Sequence, residues 1–305
     1  MRTECEERSG TVRDCPGSRG RAVVRTVALA AAVVCGVLLA APGCAEQKQI
    51  LPGLTAVEQP PDIEAALLRI MTNDGRWATM QADCTLTIRS DYLRGEENQV
   101  TLQGARLFIR RPGGVRLVLP ASGTPQVLLV GDGVRYRADM ALFANQHNSG
   151  MYGDPLPVDR PRILLMPEDI AQAFNWTPLL ADTVHVTRED PVLGRFCVDC
   201  LTPVHTPQPR LRLDQTVVLE PRGERVYELR RYNDDGSTRV VIRYGSYKVL
   251  MNAADEPIEL PTQLWLGYSP GRTSTLIALS RVRLDQDLSP GLFDAGGGGV
   301  SGIGR

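Results

Sequence analysis

The stretch WATMQADCTLTIRS, Trp77 to Ser90, decides how the rest of the chain is read. Ala82, Cys84, Leu86 and Ile88 alternate with Gln81, Asp83, Thr85 and Thr87. A period of two is that of a strand with one dry face and one wet face. Similar runs occupy about 98–110, 114–119, 126–131 and 133–139, then about 183–188, 195–201, 210–219, 224–232, 237–249, 261–268 and 274–284. Their joints are turn formers: Pro112-Gly113-Gly114, Asp132-Gly133, Pro221-Arg222-Gly223 and Asp234-Asp235-Gly236. Asp-Gly between apolar runs is among the strongest short hairpin signals. Consecutive strands joined by tight turns read as an antiparallel meander.

Helical patterns are few. Asp62 is placed to cap a helix whose apolar residues Ile63, Ala66, Leu67, Ile70 and Met71 recur at i, i+3, i+4, i+7 and i+8, and Asn73-Asp74-Gly75 stops it. Between Met140 and Asp182, a region rich in Pro, Gly and Asn, PEDIAQAF (167–174) reads as a second helix, with Pro167 in its first turn and Glu168 and Asp169 at its positive end. The expected fold class is therefore mainly β within α+β. It is one strongly curved antiparallel sheet of about ten or eleven strands, because a sheet so wide curls under its own twist. The helix at 62–72 and the segment around 163–174 are the candidates to cover its concave face.

The N-terminus reads as a targeting segment. Val27 to Ala41 holds no charge and follows Arg19, Arg21 and Arg25, the layout of a secretory signal; a run of about fifteen apolar residues falls short of the roughly 20 that a spanning helix needs. Ala41-Pro42-Gly43-Cys44 resembles the lipobox of bacterial lipoproteins, with Ala41 where Leu is usual. That resemblance implies that Cys44 is acylated and becomes the mature N-terminus. The other reading is an ordinary signal cleaved nearby with Cys44 a spare thiol. Two or three acyl chains give stable anchoring where one is marginal. The expected organisation is a signal peptide at 1–43, a tether with Pro52, Pro60 and Pro61 at 44–60, a β domain at 61–294 and a glycine-rich tail at 295–305.

Composition narrows the function. Of 34 basic and 35 acidic residues, residues 1–43 carry six and four, so the remainder holds 28 and 31, a net charge of −3. No basic field attracts nucleic acid. The chain has no G-x-S-x-G elbow, no H-E-x-x-H and no phosphate-cradling glycine loop, and its histidines, His147, His185 and His205, are scattered. A non-catalytic protein without cofactor or metal is expected. Cys197-Val198-Asp199-Cys200 has C-x-x-C spacing, but in an extended segment with no second pair. Buried free thiols, a disulfide within the pair or to Cys84, and metal or redox chemistry all remain open for it.

The order of these pieces resembles the family of periplasmic LolA-like carriers and LolB-like outer-membrane lipoprotein receptors, with related lipid-binding lipoproteins. The likeness covers roughly 60–294. It rests on the N-terminal helix leading into WATMQADCTLTIRS, then GARLFIRRPGGVRLVL, VLLVGDGVRYRADM, PEDIAQAF, RVYELRRYNDDGSTRVVIRYGSYKV, ELPTQLWL and SRVRLDQDLSPGLFD. The resemblance implies an unclosed half-barrel with helices on its concave side and an apolar cavity for the acyl chains of lipids or lipoproteins. Candidate lining residues are Leu86, Ile88, Leu102, Leu107, Ile109, Leu117, Leu128 and Val130. It further implies a monomer anchored through Cys44, facing the periplasm, on the outer membrane in preference to the inner. The alternative is an envelope interaction or regulatory module on the same fold.

Overall fold

The structure is a computed structural model. It describes residues 62–296 apart from 92, 94–97, 121–124, 144–145, 155–164, 182, 191–193, 205–209 and 269–272. The segments expected to be the signal peptide and the tether, Cys44, His205 and all but the first two residues of the expected tail lie outside the described residues.

Helix α1 (Ile63–Asp74) begins as its sequence predicts: the Asp62 carboxylate accepts from the Ala65 amide at 3.1 Å, and Ala66, Leu67 and Ile70 are buried along one stripe. Among the described residues thirteen strands follow, with two short helices between them. The first six are β1 (Thr79–Ser90), β2 (Gln99–Arg110), β3 (Gly114–Leu119), β4 (Val127–Asp132), β5 (Arg135–Met140) and β6 (Gln146–Met151). Helices α2 (Pro167–Gln172) and α3 (Trp176–Ala181) come next. The remaining strands are β7 (Val184–Asp190), β8 (Arg195–Val204), β9 (Arg210–Leu219), β10 (Val226–Tyr232), β11 (Thr238–Met251), β12 (Pro257–Tyr268) and β13 (Thr273–Leu284), and a 3-10 helix covers Pro290–Phe293.

All thirteen strands belong to one sheet, in the order β6-β5-β4-β3-β2-β1-β13-β12-β11-β10-β9-β8-β7. Two meanders thus meet at a central long-range pair, β1 with β13, where Leu86 faces Ile277 and Ile88 faces Thr275. Every pairing is antiparallel. Direction therefore alternates along the order, and the edge strands β6 and β7, twelve steps apart, run the same way. A ring of thirteen cannot close with antiparallel pairing throughout. The chain leaving β6 must also travel back along the sheet before it starts β7, and α2 and α3 lie in that return.

The sheet is wider than the ten or eleven strands expected. QHNSGM, the sequence of β6, carries no apolar alternation; it becomes a strand because β5 offers it an edge, from Arg135 opposite Met151 to Met140 opposite Gln146. WTPLLA was likewise unmarked by a helical period and forms α3. In β1 the alternation is as read: Met80, Ala82, Cys84, Leu86 and Ile88 are buried and the residues between them are half-buried.

The two faces of the sheet differ. One face joins α1, α2 and α3 in a single apolar core that draws on β1–β5 and β8–β13. The other carries a small cluster of Val118, Leu128 and Val130, with Phe108 and Ala295 against it. The C-terminal strap lies there: Phe293 is fully buried, the Arg110 guanidinium sits 4.6 Å over its ring, and Arg116 donates to the Leu292 carbonyl at 3.1 Å.

Candidate functional site

The eight candidate lining residues do not share one face. Leu86, Ile88, Leu107, Ile109 and Leu117 lie in the main core, and Leu102 packs half-buried against it. Leu128 and Val130 point the other way, into the small cluster under the strap. The reason is the period of two: in VLLVGD of β4 every residue from Val127 to Gly131 is buried, so hydrophobicity does not reveal that Val127 and Leu129 face the helices while Leu128 and Val130 face the strap.

Two buried ion clusters fix the helices on the core face. In the first, Glu168 and Asp169 of α2 meet two arginines from the far half of the sheet. Arg231 Nη1 lies 2.6 Å from Asp169 Oδ1 and its Nη2 lies 2.8 Å from Glu168 Oε1, while Arg239 Nη2 lies 2.8 Å from Glu168 Oε2. The Gly153 amide donates to Glu168 Oε2 at 2.9 Å, and Arg239 Nη1 donates to the Asp154 carbonyl at 3.2 Å. Two carboxylates balance two guanidiniums, so the cluster is neutral, as a buried set of charges must be to survive desolvation. Burial pushes the Glu168 carboxyl up, but Arg231, Arg239 and the Gly153 amide outweigh it and hold the group below the usual carboxylate range. For Asp169, fully enclosed, burial wins and the carboxyl is raised.

In the second cluster Asp74, the last residue of α1, pairs with Arg111 and accepts from the Thr177 amide at 2.7 Å and the Thr177 hydroxyl at 2.6 Å. Arg111 also donates to Asn175 Oδ1 at 3.0 Å and lies 5.1 Å over the Trp77 ring. α1, α3 and the β2–β3 turn are thereby joined at one point. Burial raises the Asp74 carboxyl against the pull of Arg111 and Thr177.

Between α1 and the β10–β12 part of the sheet opens a cleft of about 280 Å³. Its floor is apolar: Ile70 from α1, Trp176 from α3, Val226 and Tyr247. Trp176 donates to the Tyr244 hydroxyl at 3.2 Å and meets that ring edge-on, which fixes the indole. The rim is charged, with Arg69, Glu224, Arg225 and Glu259. Arg225 pairs with Glu259, and Asn73 clamps the Glu259 backbone through a 2.8 Å and a 3.0 Å hydrogen bond. Arg69 reaches only the Gly223 carbonyl, at 3.4 Å, among the described residues. None of the eight residues singled out from the sequence lines this cleft. They belong to β1–β4, while the cleft is assembled from α1, from Trp176 of α3 and from strands more than 140 residues beyond α1, a neighbourhood that no local period reveals.

Among the described residues no group of His, Cys, Asp and Glu could hold a metal ion. Cys84, Cys197 and Cys200 are buried free thiols. Burial, with Asp83 adding to it, pushes the Cys84 thiol up to about 12, and burial raises Cys197 and Cys200 as well.

Solved structures similar to this chain include the following three. A LolA superfamily protein from Nitrosomonas europaea is 11% identical, with a TM-score of 0.47 over 76% of this chain and 97% of its own. A DUF1329 family protein from Desulfovibrio piger is 13% identical, with a TM-score of 0.48 over 77% of this chain and 98% of its own. A domain from Vibrio parahaemolyticus assigned to outer-membrane lipoprotein sorting is 13% identical, with a TM-score of 0.43 over 76% of this chain and 97% of its own. No family model matches the sequence, and no curated protein matches it. The order of elements expected from the sequence, an N-terminal helix, a run of antiparallel strands, a helix at PEDIAQAF and further strands, is the order found here, in one unclosed sheet.

Proposed function

We propose that this protein is a membrane-anchored envelope lipoprotein whose sheet curls into an unclosed half-barrel around α1–α3 and shelters an acyl chain, of a lipid or of another lipoprotein, between sheet and helices. One observation carries the reading. Arg239 of β11 donates to the Asp154 carbonyl just beyond β6 at 3.2 Å, yet β11 and β6 stand eight places apart in the sheet. Strands spaced ~4.8 Å apart would hold them ~38 Å apart in a flat sheet. α2 supports the same curl, since it touches β3, β4 and β5 on one side while its carboxylates reach β10 and β11 on the other. The helices then stand on the concave side, and the cleft beside α1 is its mouth.

The size of the cleft limits the guest. At ~30 Å³ per water it holds the equivalent of about nine waters, just under the ~300 Å³ at which ligand pockets begin. That accommodates one short alkyl chain; a two- or three-chain terminus requires the helices to move. Ten buried methylenes contribute about 8 kcal/mol before ordering costs, enough for retention. In this reading the protein is not an enzyme, Cys44 carries the anchor, and the domain faces the periplasm, on the outer membrane in preference to the inner.

The test is native mass spectrometry of the protein isolated from its own cells. A retained lipid or acyl peptide, lost in Ile70→Phe, which grows into the cleft, supports carriage. An empty protein, with wild-type stability in both forms, overturns it. That result favours the alternative of an interaction module, for which Leu165, Met166, Ile170 and Phe174, all buried in and beside α2, serve as a permanent filling.

A further inference from the structure

The rim of the cleft holds two opposite charges that the protein leaves unmatched. Arg225 is answered by Glu259. Arg69, on α1, reaches only the Gly223 carbonyl, at 3.4 Å, and among the described residues no carboxylate forms an ion pair with it. Glu224 lines the cleft as well, and among the described residues nothing donates to its carboxylate. Both side chains are exposed. Gly223 and Glu224 are consecutive, so a cation and an anion stand on the same side of the mouth without pairing. Beneath them the floor is apolar, and its rings are already engaged: the Trp176 indole against Tyr244, and Tyr247 under the Arg225 guanidinium, 5.2 Å from the ring centre.

We infer that the cleft takes a single-chain lipid whose head group carries both a phosphate and a primary ammonium, the phosphate on Arg69 and the ammonium on Glu224, with the alkyl chain over Ile70, Trp176 and Val226. The inference rests on the acyl-chain reading and chooses between its two guests, since the acylated terminus of a lipoprotein brings no phosphate. The four charges of the rim, Arg69, Arg225, Glu224 and Glu259, sum to zero, so a head group of one sign gains at one residue what it loses at the next. A head group bearing both signs gains at both, because a guanidinium donates a pair of N–H bonds to phosphate and a carboxylate accepts from an ammonium N–H. A quaternary ammonium has no N–H to give and is recognised by open aromatic faces, which this rim does not present. One short chain fits a cleft of about 280 Å³ and a second does not.

The test offers the full-length protein, in a detergent suited to native mass spectrometry, an equimolar mixture of four lipids that share one short alkyl chain: lysophosphatidylethanolamine, lysophosphatidylcholine, lysophosphatidylglycerol and a monoacylglycerol. Their masses differ, so one spectrum reads all four occupancies. The ethanolamine lipid is expected to exceed each of the others by about two- to fivefold, which is what one exposed charge pair contributes. Glu224→Gln should erase that lead and lift the anionic glycerol lipid above the neutral monoacylglycerol. Arg69→Gln should do the opposite and place the glycerol lipid below it. Arg222→Gln, on the same turn but outside the cleft, should leave the order unchanged. All three positions are exposed, so folding is not at stake. An order that the ethanolamine lipid does not lead, a lead that survives Glu224→Gln, or a glycerol lipid that does not fall in Arg69→Gln overturns the inference and leaves the acyl-chain reading standing. Binding of none of the four overturns both.

Discussion

The two faces of the sheet are stabilised by different means. The core face is one apolar mass into which charged groups are set only as neutral, hydrogen-bonded clusters. On the outer face Val118, Leu128 and Val130 are buried beneath a C-terminal strap, Val218 is buried further along, and ion pairs such as Arg212 with Asp234 stand at the surface. The difference teaches where specificity lies. Apolar contacts on the core face would tolerate a helix shifted by a turn, but the geometry of Arg231 against Glu168 and Asp169 would not. A crossover that must return along the sheet is thus fixed in place by directional charges.

The sharpest way to break that contrast is Arg231→Met. Removing one member of a buried cluster leaves its partners uncompensated and costs about 3–5 kcal/mol; denaturant unfolding monitored by Trp fluorescence measures it, and a loss under 1 kcal/mol would mean that the cluster does not hold α2. Next come two neighbours on one strand. Leu129→Ala, in the main core, should cost about 2–5 kcal/mol, whereas Leu128→Ala, under a strap that can settle into the gap, should cost about 1–2 kcal/mol. Equal losses would erase the distinction between the faces.

A pH series sharpens the comparison further. Glu168 has a carboxyl held below its ordinary value, so its contribution is present above the unfolded pKa of about 4.3 and is lost as pH falls through the folded one. The stability gap between wild type and Glu168→Gln is therefore wide at neutral pH and narrows below about 4.3; a gap that widens on acidification would contradict the assignment. The smallest effect belongs to the outer face: Asp234→Ala, at an exposed pair, should change stability by less than about 1 kcal/mol. Alkylation gives an independent reading of the core. With its thiol at about 12, Cys84 should resist iodoacetamide at pH 8 until the protein unfolds.

Much of the fold was legible because it is carried by short-range patterns. The alternation in WATMQADCTLTIRS, the Asp-Gly joints and the stripe from Ile63 to Met71 each express a local period, and each element formed where it was read. β6 and α3 escaped because their residues have no period of their own, and neighbours impose their structure. The candidate site was legible only in kind. Apolar strand positions were marked, but in β4 both faces are buried, so Leu128 and Val130 could not be separated from Val127 and Leu129. The cleft residues Arg69, Trp176 and Val226 carry no mark at all, since what makes them a site is that a crossover sets them side by side.

From its sequence alone this chain is bound to be a long antiparallel meander with few helices, because backbone propensity and hydrophobic period act over a handful of residues. Which strands stand at the edges, which face each residue takes, and where charge answers charge 62 and 71 residues away along the chain were decided only by tertiary structure. Those choices follow from an odd number of antiparallel strands, whose edges run the same way and whose crossover must pass over one face to join them.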